Sequence, residues 1–210
     1  MMKTFKDILE NKMTVKDWED HVTKEKEEIN PLHEKLSNHY NFPEGNNQYK
    51  NLREYTDNSF FINKDLWDAH NNNGFLNRQE TNLDINPTHL NSALNKHKTP
   101  QSMTVYSGTV HNPKKTHQEG DIFHHPAYLS TSIRKSVGLG FAQSHMLQIH
   151  VPKGSRGAYV GHISHTPDEH EFIIPAASNL KYKGTHEEIH PNPYGSPRKI
   201  NIHHMELVND

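Results

Sequence analysis

Several features that often reveal a protein's class are missing from this sequence. It contains no cysteine, which excludes disulfide bonds and metal sites built from thiolates. No apolar run approaches the about 18 residues that a membrane-spanning helix needs, and no apolar core of a secretory leader is present. Hydrophobic residues make up only 31% of the chain, so a compact core and a very polar surface are expected.

A strong charge of one sign is missing as well. The formal net charge is -2 with neutral histidines, so the chain lacks the basic excess that drives non-specific binding to nucleic acids. Histidine, in contrast, is abundant, with 19 residues, so the net charge depends strongly on pH in the mildly acidic range. The histidines show no recognised ligand spacing, and no metal site is predicted from them.

The order of sequence patterns predicts one α+β domain, because helical patterns come first and strand patterns follow. Residues 11–100 are predicted as its helical part and residues 101–210 as its β-rich part. Helices are expected at about 14–29, 31–39 and 86–96, where capping residues or prolines open them. Strands are expected at about 103–107, 128–133, 146–151, 157–160, 170–174, 179–183 and 198–207.

The most informative segment is Pro167–Pro175, in which Glu169 and Glu171 stand one residue apart ahead of a short apolar run. If this segment is extended, the period of two in a strand places both carboxylates on the same face. Like charges so close repel each other, so the pair is costly unless a cation or an electron-poor substrate lies between them. Alone, the pattern is more typical of a solvated strand entry.

Two further strands precede this pair in an informative order. Met103–Thr109 carries a Tyr-x-Gly pattern, and Ala127–Ile133 carries the hydroxyl triplet Ser-Thr-Ser. Tyr-x-Gly, Ser-Thr-Ser and Glu-x-Glu, in this order, resemble the mono-ADP-ribosyltransferases of the arginine-serine-glutamate class. Phe141 follows Ser130 at the distance where these enzymes carry an aromatic residue that packs on nicotinamide.

The resemblance extends beyond these motifs, over about residues 50 to 207. Leu147–Val160 looks like the family's "ipkG-x-x-g-ayv" hairpin, and Tyr55–Leu66 is similar to its Y-T-x-x-S-x-x-I-N-x-x-L helix. The resemblance implies N-terminal helices followed by two packed, mostly antiparallel β-sheets around an NAD cleft, with residues 101–210 as the NAD-binding and catalytic core. It also implies transfer of ADP-ribose from NAD to an acceptor, with release of nicotinamide.

The resemblance assigns catalytic roles to three residues. Glu171 stabilises the oxocarbenium-like transition state at the ribose, and Ser130 holds Glu171 in place. Glu169 orients the acceptor and helps to deprotonate it, which suits the guanidinium of arginine with its pKa above about 12. Relatives that modify asparagine have glutamine at this position, so a protein arginine is the expected acceptor, and an RNA acceptor stays open.

The resemblance also implies residues that bind NAD. The expected nicotinamide pocket is lined by Tyr106, Gly108 and Phe141, and the NAD site also includes Ser107, Thr131 and Ser132. The loop Ser164–Asp168 is expected to meet the acceptor. Each assignment has a structural alternative: Tyr106 and Phe141 would be packing residues, and the Ser-Thr-Ser triplet a polar β-edge.

Ser107 departs from the family pattern, in which an arginine at this position grips the NAD phosphates. A serine hydroxyl cannot replace the charge and the planar donors of a guanidinium. Such a loss is worth about 2–4 kcal/mol, or roughly 30-fold to 1000-fold in affinity or rate. Arg134, Lys135 and Arg156 are the candidate compensating bases. The alternative is a weak or inactive member of the fold that binds NAD or a partner.

The first ten residues resemble the capsid-targeting leader of internal head proteins of T-even-type phages. Ile8-Leu9-Glu10 fits the cleavage site of such leaders, although an ordinary amphipathic helix start is the alternative. A leader at residues 1–10 implies packaging in a phage head and delivery to the cytoplasm of a bacterial host. Host transcription or translation proteins are then the expected acceptors, and a structural internal virion protein is a further alternative.

Overall fold

The computed structural model describes residues 15–71, 85–190 and 197–209. The leader predicted at residues 1–10 lies outside the described residues and stays a prediction. Among these described residues three helices come first: α1 at Val15–His39, α2 at Asn47–Asn71 and α3 at Pro87–Lys96. No helix in the described part of the chain is long and apolar enough to cross a membrane.

Helix α1 is continuous, so the predicted division into two helices at Pro31 is wrong. A proline inside a helix removes one backbone hydrogen bond and normally favours a break. Here the residues on both sides of Pro31 pack on the same core, with Ile29 and Leu32 partly buried and Leu36 fully buried. This packing outweighs the local cost of the proline.

The third predicted helix is confirmed, and its start has a physical reason. The Oδ1 of Asn86 accepts a hydrogen bond of 2.9 Å from the Thr88 amide, and Pro87 occupies the first helical position. Helix α2 has a kink at Asn58, whose φ of -122° and ψ of 23° are not helical. The kink lies between Tyr55 and Asn63.

In the part of the chain that the structure describes, eight strands follow the helices, with a short helix α4 among them. The strands are β1 Met103–Thr109, β2 Ile122–His125, β3 Leu129–Ser132, β4 His145–Val151, β5 Ala158–Tyr159, β6 Glu171–Ile174, β7 Ser178–His190 and β8 Arg198–Leu207, and α4 spans Lys135–Phe141. Seven of these strands were expected. Strand β2 and helix α4 had no sequence prediction, and β7 is longer than expected.

The strands form one mixed sheet in the order β2-β7-β8-β4-β1-β3-β6-β5, in which only the β4–β8 pair is parallel. The expectation of two packed sheets is therefore wrong. The physical reason is the pairing of β1 with β3, where Tyr106 and Ser132 are in register. This single registered pair joins a group of five strands to a group of three.

The hairpin expected at Leu147–Val160 is also wrong. Strand β4 lies between β8 and β1, whereas β5 pairs with β6 at the far edge of the sheet. The turn between them is held by the segment before β1 instead. The Gly154 amide donates to the Thr99 carbonyl at 2.9 Å, and the Thr99 amide donates to the Ser155 carbonyl at 2.9 Å.

Two hydrophobic clusters cover different parts of the sheet. The larger cluster joins the helices to the sheet and includes Val105 of β1. The smaller cluster consists of Leu139, Ala142, Met146, Ile200 and Ile202, with Tyr106 and Trp18 packed against it. Successive residues of β1 therefore face different clusters, as the alternation of a strand requires.

Candidate active site

Glu171 begins strand β6 and is held by the backbone ladder. It is in register with Ser132 of β3, and Ser130 lies two residues along β3 on the same face. The side chain is buried, with 6% of the residue exposed. A short apolar run follows it, Phe172 to Ile174, and this run is fully buried and fixes the strand.

A chain of hydrogen bonds leads from helix α2 to Glu171. The Asn63 amide group donates to the Tyr55 hydroxyl at 2.9 Å, and that hydroxyl lies 3.1 Å from the Ser130 hydroxyl. Ser130 in turn hydrogen-bonds the Glu171 carboxylate. Each hydroxyl therefore donates toward Glu171 and accepts from the group behind it. Ser130 is positioned by a helix as well as by its strand.

The environment raises the pKa of Glu171 to about 7. Burial is the main cause, because it removes water from the charged carboxylate. The hydrogen bond from Ser130 lowers the pKa, and the neighbouring charge of Glu169 raises it again. A carboxyl group with this pKa changes its charge close to neutral pH, which is typical of functional sites.

Glu169 does not lie on the strand that carries Glu171. It ends a 3-10 turn, Pro167–Glu169, and His170 then adopts a left-handed conformation with φ 48° and ψ 50°. The segment is therefore not extended at Glu169, and the condition for placing both carboxylates on one face of a strand is not met. Glu169 is half-buried, and burial raises its pKa as well. The direction of the Glu169 side chain is therefore set by a turn, whereas that of Glu171 is set by a strand.

The other two residues of the hydroxyl triplet hold the motif together from opposite faces of β3. The Thr131 hydroxyl donates to the Phe172 carbonyl at 2.6 Å on the face away from Glu171. The Ser132 hydroxyl donates to the Glu169 carbonyl at 2.6 Å and accepts from the Arg134 amide at 2.9 Å. Both side chains are buried and bond the backbone of the motif.

Strand β1 places Ser107 against the backbone of the Ser-Thr-Ser strand. The Ser107 hydroxyl donates to the Ser130 carbonyl at 2.8 Å. Tyr106 instead packs against the smaller cluster, with Gly138 of α4 against its Cβ. This packing agrees with the structural alternative for Tyr106, and its role in a nicotinamide pocket stays a prediction.

Gly108 and Phe141 are neighbours, because β1 passes very close to the end of α4. A Cβ atom at Gly108 would overlap the Phe141 backbone, so glycine is needed here for the contact between strand and helix. The Phe141 side chain is 65% exposed, which argues against the alternative of a core residue. The backbone of Phe141 is thus fixed beside β1, and its aromatic ring is exposed there.

The three candidate compensating bases are all engaged elsewhere. The buried Arg134 pairs with Glu25 of α1 at 3.6 Å, and Lys135 contacts both oxygens of Glu188 at 2.8 Å. The Arg156 guanidinium donates to the Asn95 side-chain carbonyl at 3.4 Å, and its backbone forms an isolated bridge with Lys98. These positions give no direct support for a compensating role.

Arg53, which sequence reasoning missed, lies on α2 beside the loop expected to meet the acceptor. Its guanidinium donates to the Ile163 carbonyl at 3.4 Å, and it has no carboxylate partner among the described residues. On the same helix the Thr56 hydroxyl accepts from the His165 amide at 3.2 Å. Lys26 of α1 pairs with Asp168 at 2.6 Å at the other end of the loop.

Other residues of the site also escaped sequence reasoning. The Tyr55–Leu66 motif was noticed, but the positions of its Tyr55 and Asn63 beside Ser130 need the tertiary structure. His170 carried a weak signal, because it stands between the two glutamates. In the described residues no group of three or more histidine, aspartate or glutamate side chains is placed to hold a metal ion.

Comparisons with known proteins show the family to which this chain belongs. A family model described as ADP-ribosyltransferase exoenzyme matches residues 11–204. The chain belongs to this family. The prediction that NAD is the donor substrate is confirmed at the level of the family, and a related structure, C3stau2 from S. aureus, was solved with NAD.

Solved structures of ADP-ribosyltransferase toxins share the fold at low identity. Plx2a from Paenibacillus larvae is 22% identical with a TM-score of 0.70, covering 88% of this chain and 96% of that one. C3stau2 is 19% identical with a TM-score of 0.64, covering 87% and 95%. These likenesses confirm the α+β ADP-ribosyltransferase fold.

One relative is named for a particular acceptor residue, arginine. The NAD(+)--arginine ADP-ribosyltransferase EFV of Enterococcus faecalis is 29% identical over 143 residues, which are 64% of this chain. The matched region spans only 28% of EFV. The arginine acceptor named for that protein is therefore relevant here as support for a proposal.

Proposed function

We propose that this chain transfers ADP-ribose from NAD to an arginine side chain of a protein and releases nicotinamide. In this reaction the bond between the ribose C1′ and the nicotinamide nitrogen breaks, and a bond from C1′ to a guanidine nitrogen forms. The acceptor nitrogen loses one proton. The observation that carries the proposal is the buried Glu171, held by Ser130 and preceded by a second carboxylate on its own turn.

Glu171 is the group that acts on the ribose. Its carboxylate stabilises the positive charge that develops on the ribose as nicotinamide leaves. The burial of Glu171 strengthens this interaction, because water screens it less than at the surface. The chain Asn63–Tyr55–Ser130 keeps the carboxylate in position, and such positioning is worth a large factor in rate.

Glu169 is the group that acts on the acceptor. Its half-exposed position suits contact with a protein from outside. A carboxylate beside the guanidinium orients it and accepts the proton that it loses. The arginine acceptor named for EFV supports the same assignment, and the anchored loop Ser164–Asp168 offers a surface beside Glu169 for the acceptor protein.

The remaining NAD contacts are assigned to Ser107, which lies against the Ser-Thr-Ser strand, and to the exposed Phe141. The Phe141 ring packs on nicotinamide, and Gly108 lets β1 approach the backbone of Phe141 at the end of α4. Thr131 and Ser132 support the motif through the backbone. Arg53 is the cation that we assign to the NAD phosphates, since it is free of an acidic partner among the described residues.

Mass spectrometry of a protein mixture incubated with NAD tests this function. Wild-type protein and Glu171→Gln are each incubated with a bacterial lysate and with isotopically labelled NAD. We expect labelled ADP-ribose on arginine residues in the wild-type sample, and none above background with the variant. Label on another residue type would overturn the arginine assignment, and absence of both label and released nicotinamide would overturn the activity.

A weak or inactive NAD-binding member of the family is the second candidate. Ser107 favours it, because the usual arginine is missing and Arg134, Lys135 and Arg156 have other contacts. Calorimetric titration with NAD separates the candidates. Binding without nicotinamide release supports the second candidate, and binding with release supports the transferase.

A further inference from the structure

The two glutamates of the motif are separated by one residue with an unusual backbone. His170 has a positive φ of 48°, a conformation that residues other than glycine rarely adopt. Its amide donates to the Pro167 carbonyl at 3.1 Å, and its carbonyl accepts from the Ile133 amide at 3.2 Å. The direction of Glu169 relative to Glu171 therefore depends on this one left-handed residue.

The His170 side chain is held by two aromatic residues from other elements. Its Nδ1 lies 3.0 Å from the hydroxyl of Tyr159 on β5, and that hydroxyl lies 2.5 Å from Nδ1 of His33 on α1. The rings of His33 and His170 are edge to face, with centroids 4.9 Å apart. Three separate elements thus converge on the residue between the glutamates.

The chemistry of these groups makes the contact directional. Burial raises the pKa of Tyr159, so its hydroxyl keeps a proton that it donates to one imidazole while it accepts from the other. Burial lowers the pKa of His170 to about 4, and the charges of His33, Arg134 and Lys26 act in the same direction against that of Asp168. Neutral His170 therefore fits this arrangement at neutral pH.

The space for this contact depends on Gly161. A Cβ atom at this position would overlap the Tyr159 hydroxyl and would lie 3.2 Å from the Cα of His170. The φ of Gly161 is not positive, so the glycine is required by the close packing and not by its own backbone. The loop ahead of the motif is shaped to admit the tyrosine hydroxyl.

We propose that His33, Tyr159 and His170 form a brace that fixes the left-handed turn and thereby orients Glu169 toward the acceptor. The inference rests on the proposed function. Glu171 has its own supports in Ser130 and in the ladder between β3 and β6. Loss of the brace is therefore expected to impair use of the acceptor more than cleavage of NAD. His33, Tyr159 and His170 are positioning residues in this scheme.

The test compares two activities of each variant of the full chain. Nicotinamide release without acceptor measures NAD cleavage, and ADP-ribosylation of agmatine, a small guanidine, measures transfer. Tyr159→Phe removes only the bridging hydroxyl, and His170→Asn keeps a residue that tolerates the left-handed region. We expect both variants to lower the ratio of transfer to cleavage by about tenfold or more, because small displacements of a catalytic group are costly.

Tyr182→Phe is the matched control, since it removes another buried tyrosine hydroxyl, bonded to Thr185 at 2.7 Å in the core. Its ratio is expected to stay at the wild-type value. If Tyr159→Phe does not fold, His33→Ala on α1 replaces it. A ratio unchanged in folded Tyr159→Phe and His170→Asn would overturn the brace, as would an equal fall in the control.

A crystal structure of Tyr159→Phe gives a readout that needs no activity. The brace predicts that residue 170 leaves the left-handed region or that the Glu169 side chain changes its direction relative to Glu171. An unchanged turn and unchanged glutamates would overturn the inference. A wild-type protein that neither cleaves nor transfers would overturn the proposed function, and this structure would still decide whether the brace exists.

Discussion

Glu169 and Glu171 stand one residue apart, but they are held in different ways. Glu171 is buried at the start of a central strand, with Ser130 bonded to its carboxylate. Glu169 is half-buried at the end of a 3-10 turn, next to a loop that α1 and α2 anchor from outside. Under the proposed function, the buried carboxylate acts on the ribose, and the less buried one acts on the acceptor protein.

Glu171→Gln, which removes the charge of the buried carboxylate, should have the largest effect on activity. The amide keeps the shape of the side chain but lacks the negative charge that stabilises the ribose cation. NAD cleavage and transfer are both expected to fall by about 10²–10⁴-fold. Nicotinamide release and agmatine modification measure the two losses. The control is the exposed Glu187→Gln, which should keep both activities.

Glu169→Gln, which removes the charge of the less buried carboxylate, should affect only transfer to the acceptor. We expect transfer to agmatine to fall by about 10²-fold, because the general base is lost, while NAD cleavage by water stays within a few-fold of wild type. The ratio of the two activities is the measurement. Equal losses in both activities would mean that the two glutamates do not have separate roles.

Ser107→Arg should raise both activities together, since it acts on NAD and not on either glutamate. A guanidinium at this position adds a charge and paired donors for the phosphates. The expected effect is about a tenfold or greater decrease in the KM for NAD. Initial rates at varied NAD give the KM, and Ser107→Gln is a control of intermediate length without charge. No decrease in KM would place the phosphates elsewhere.

The buried Glu171 should also make the free energy of unfolding depend on pH, which is a smaller effect than those on activity. Burial raises its pKa to about 7 from an ordinary 4.5, so between these values the unfolded chain loses a proton that the folded chain keeps. The free energy of unfolding therefore falls as pH rises through this range, by about 3 kcal/mol in total. The Glu171→Gln variant has no carboxyl group at this position, so its free energy of unfolding should not show this fall.

Thermal unfolding of wild type and Glu171→Gln at a series of pH values checks this prediction. The Tm of the variant relative to wild type should increase from about pH 5 to about pH 8. Glu169→Gln serves as the comparison, since the less buried carboxyl should give a smaller pH dependence. A Tm difference independent of pH would show that Glu171 is ionised throughout.

Much of the site was predictable because its residues lie in short, ordered motifs. Ser130 and Glu171 are each next to apolar strand residues, so strand patterning alone indicates where they lie along the chain. The position of the Glu169 side chain was not predictable in this way, because a period of two applies only if the segment is extended. A left-handed His170 has no reliable sequence signal, and it changed the geometry of the motif.

Contacts between distant segments were the other part that sequence could not supply. Tyr55 and Ser130 are 75 residues apart, and His33 and Tyr159 are 126 apart. The link of β1 to β3 through Tyr106 and Ser132, which makes one sheet out of two expected ones, is also long-range. Such pairings depend on the packing of whole elements and not on local propensity.

By itself the sequence determined the class of the protein and the order of its elements. The absence of cysteine, the helical first part and the order of the three motifs along the chain are local properties that a linear pattern records. Only the tertiary structure decided how the glutamates differ, because burial sets the pKa of Glu171 and the turn at His170 sets the direction of Glu169. Both effects arise from neighbours that are distant in sequence.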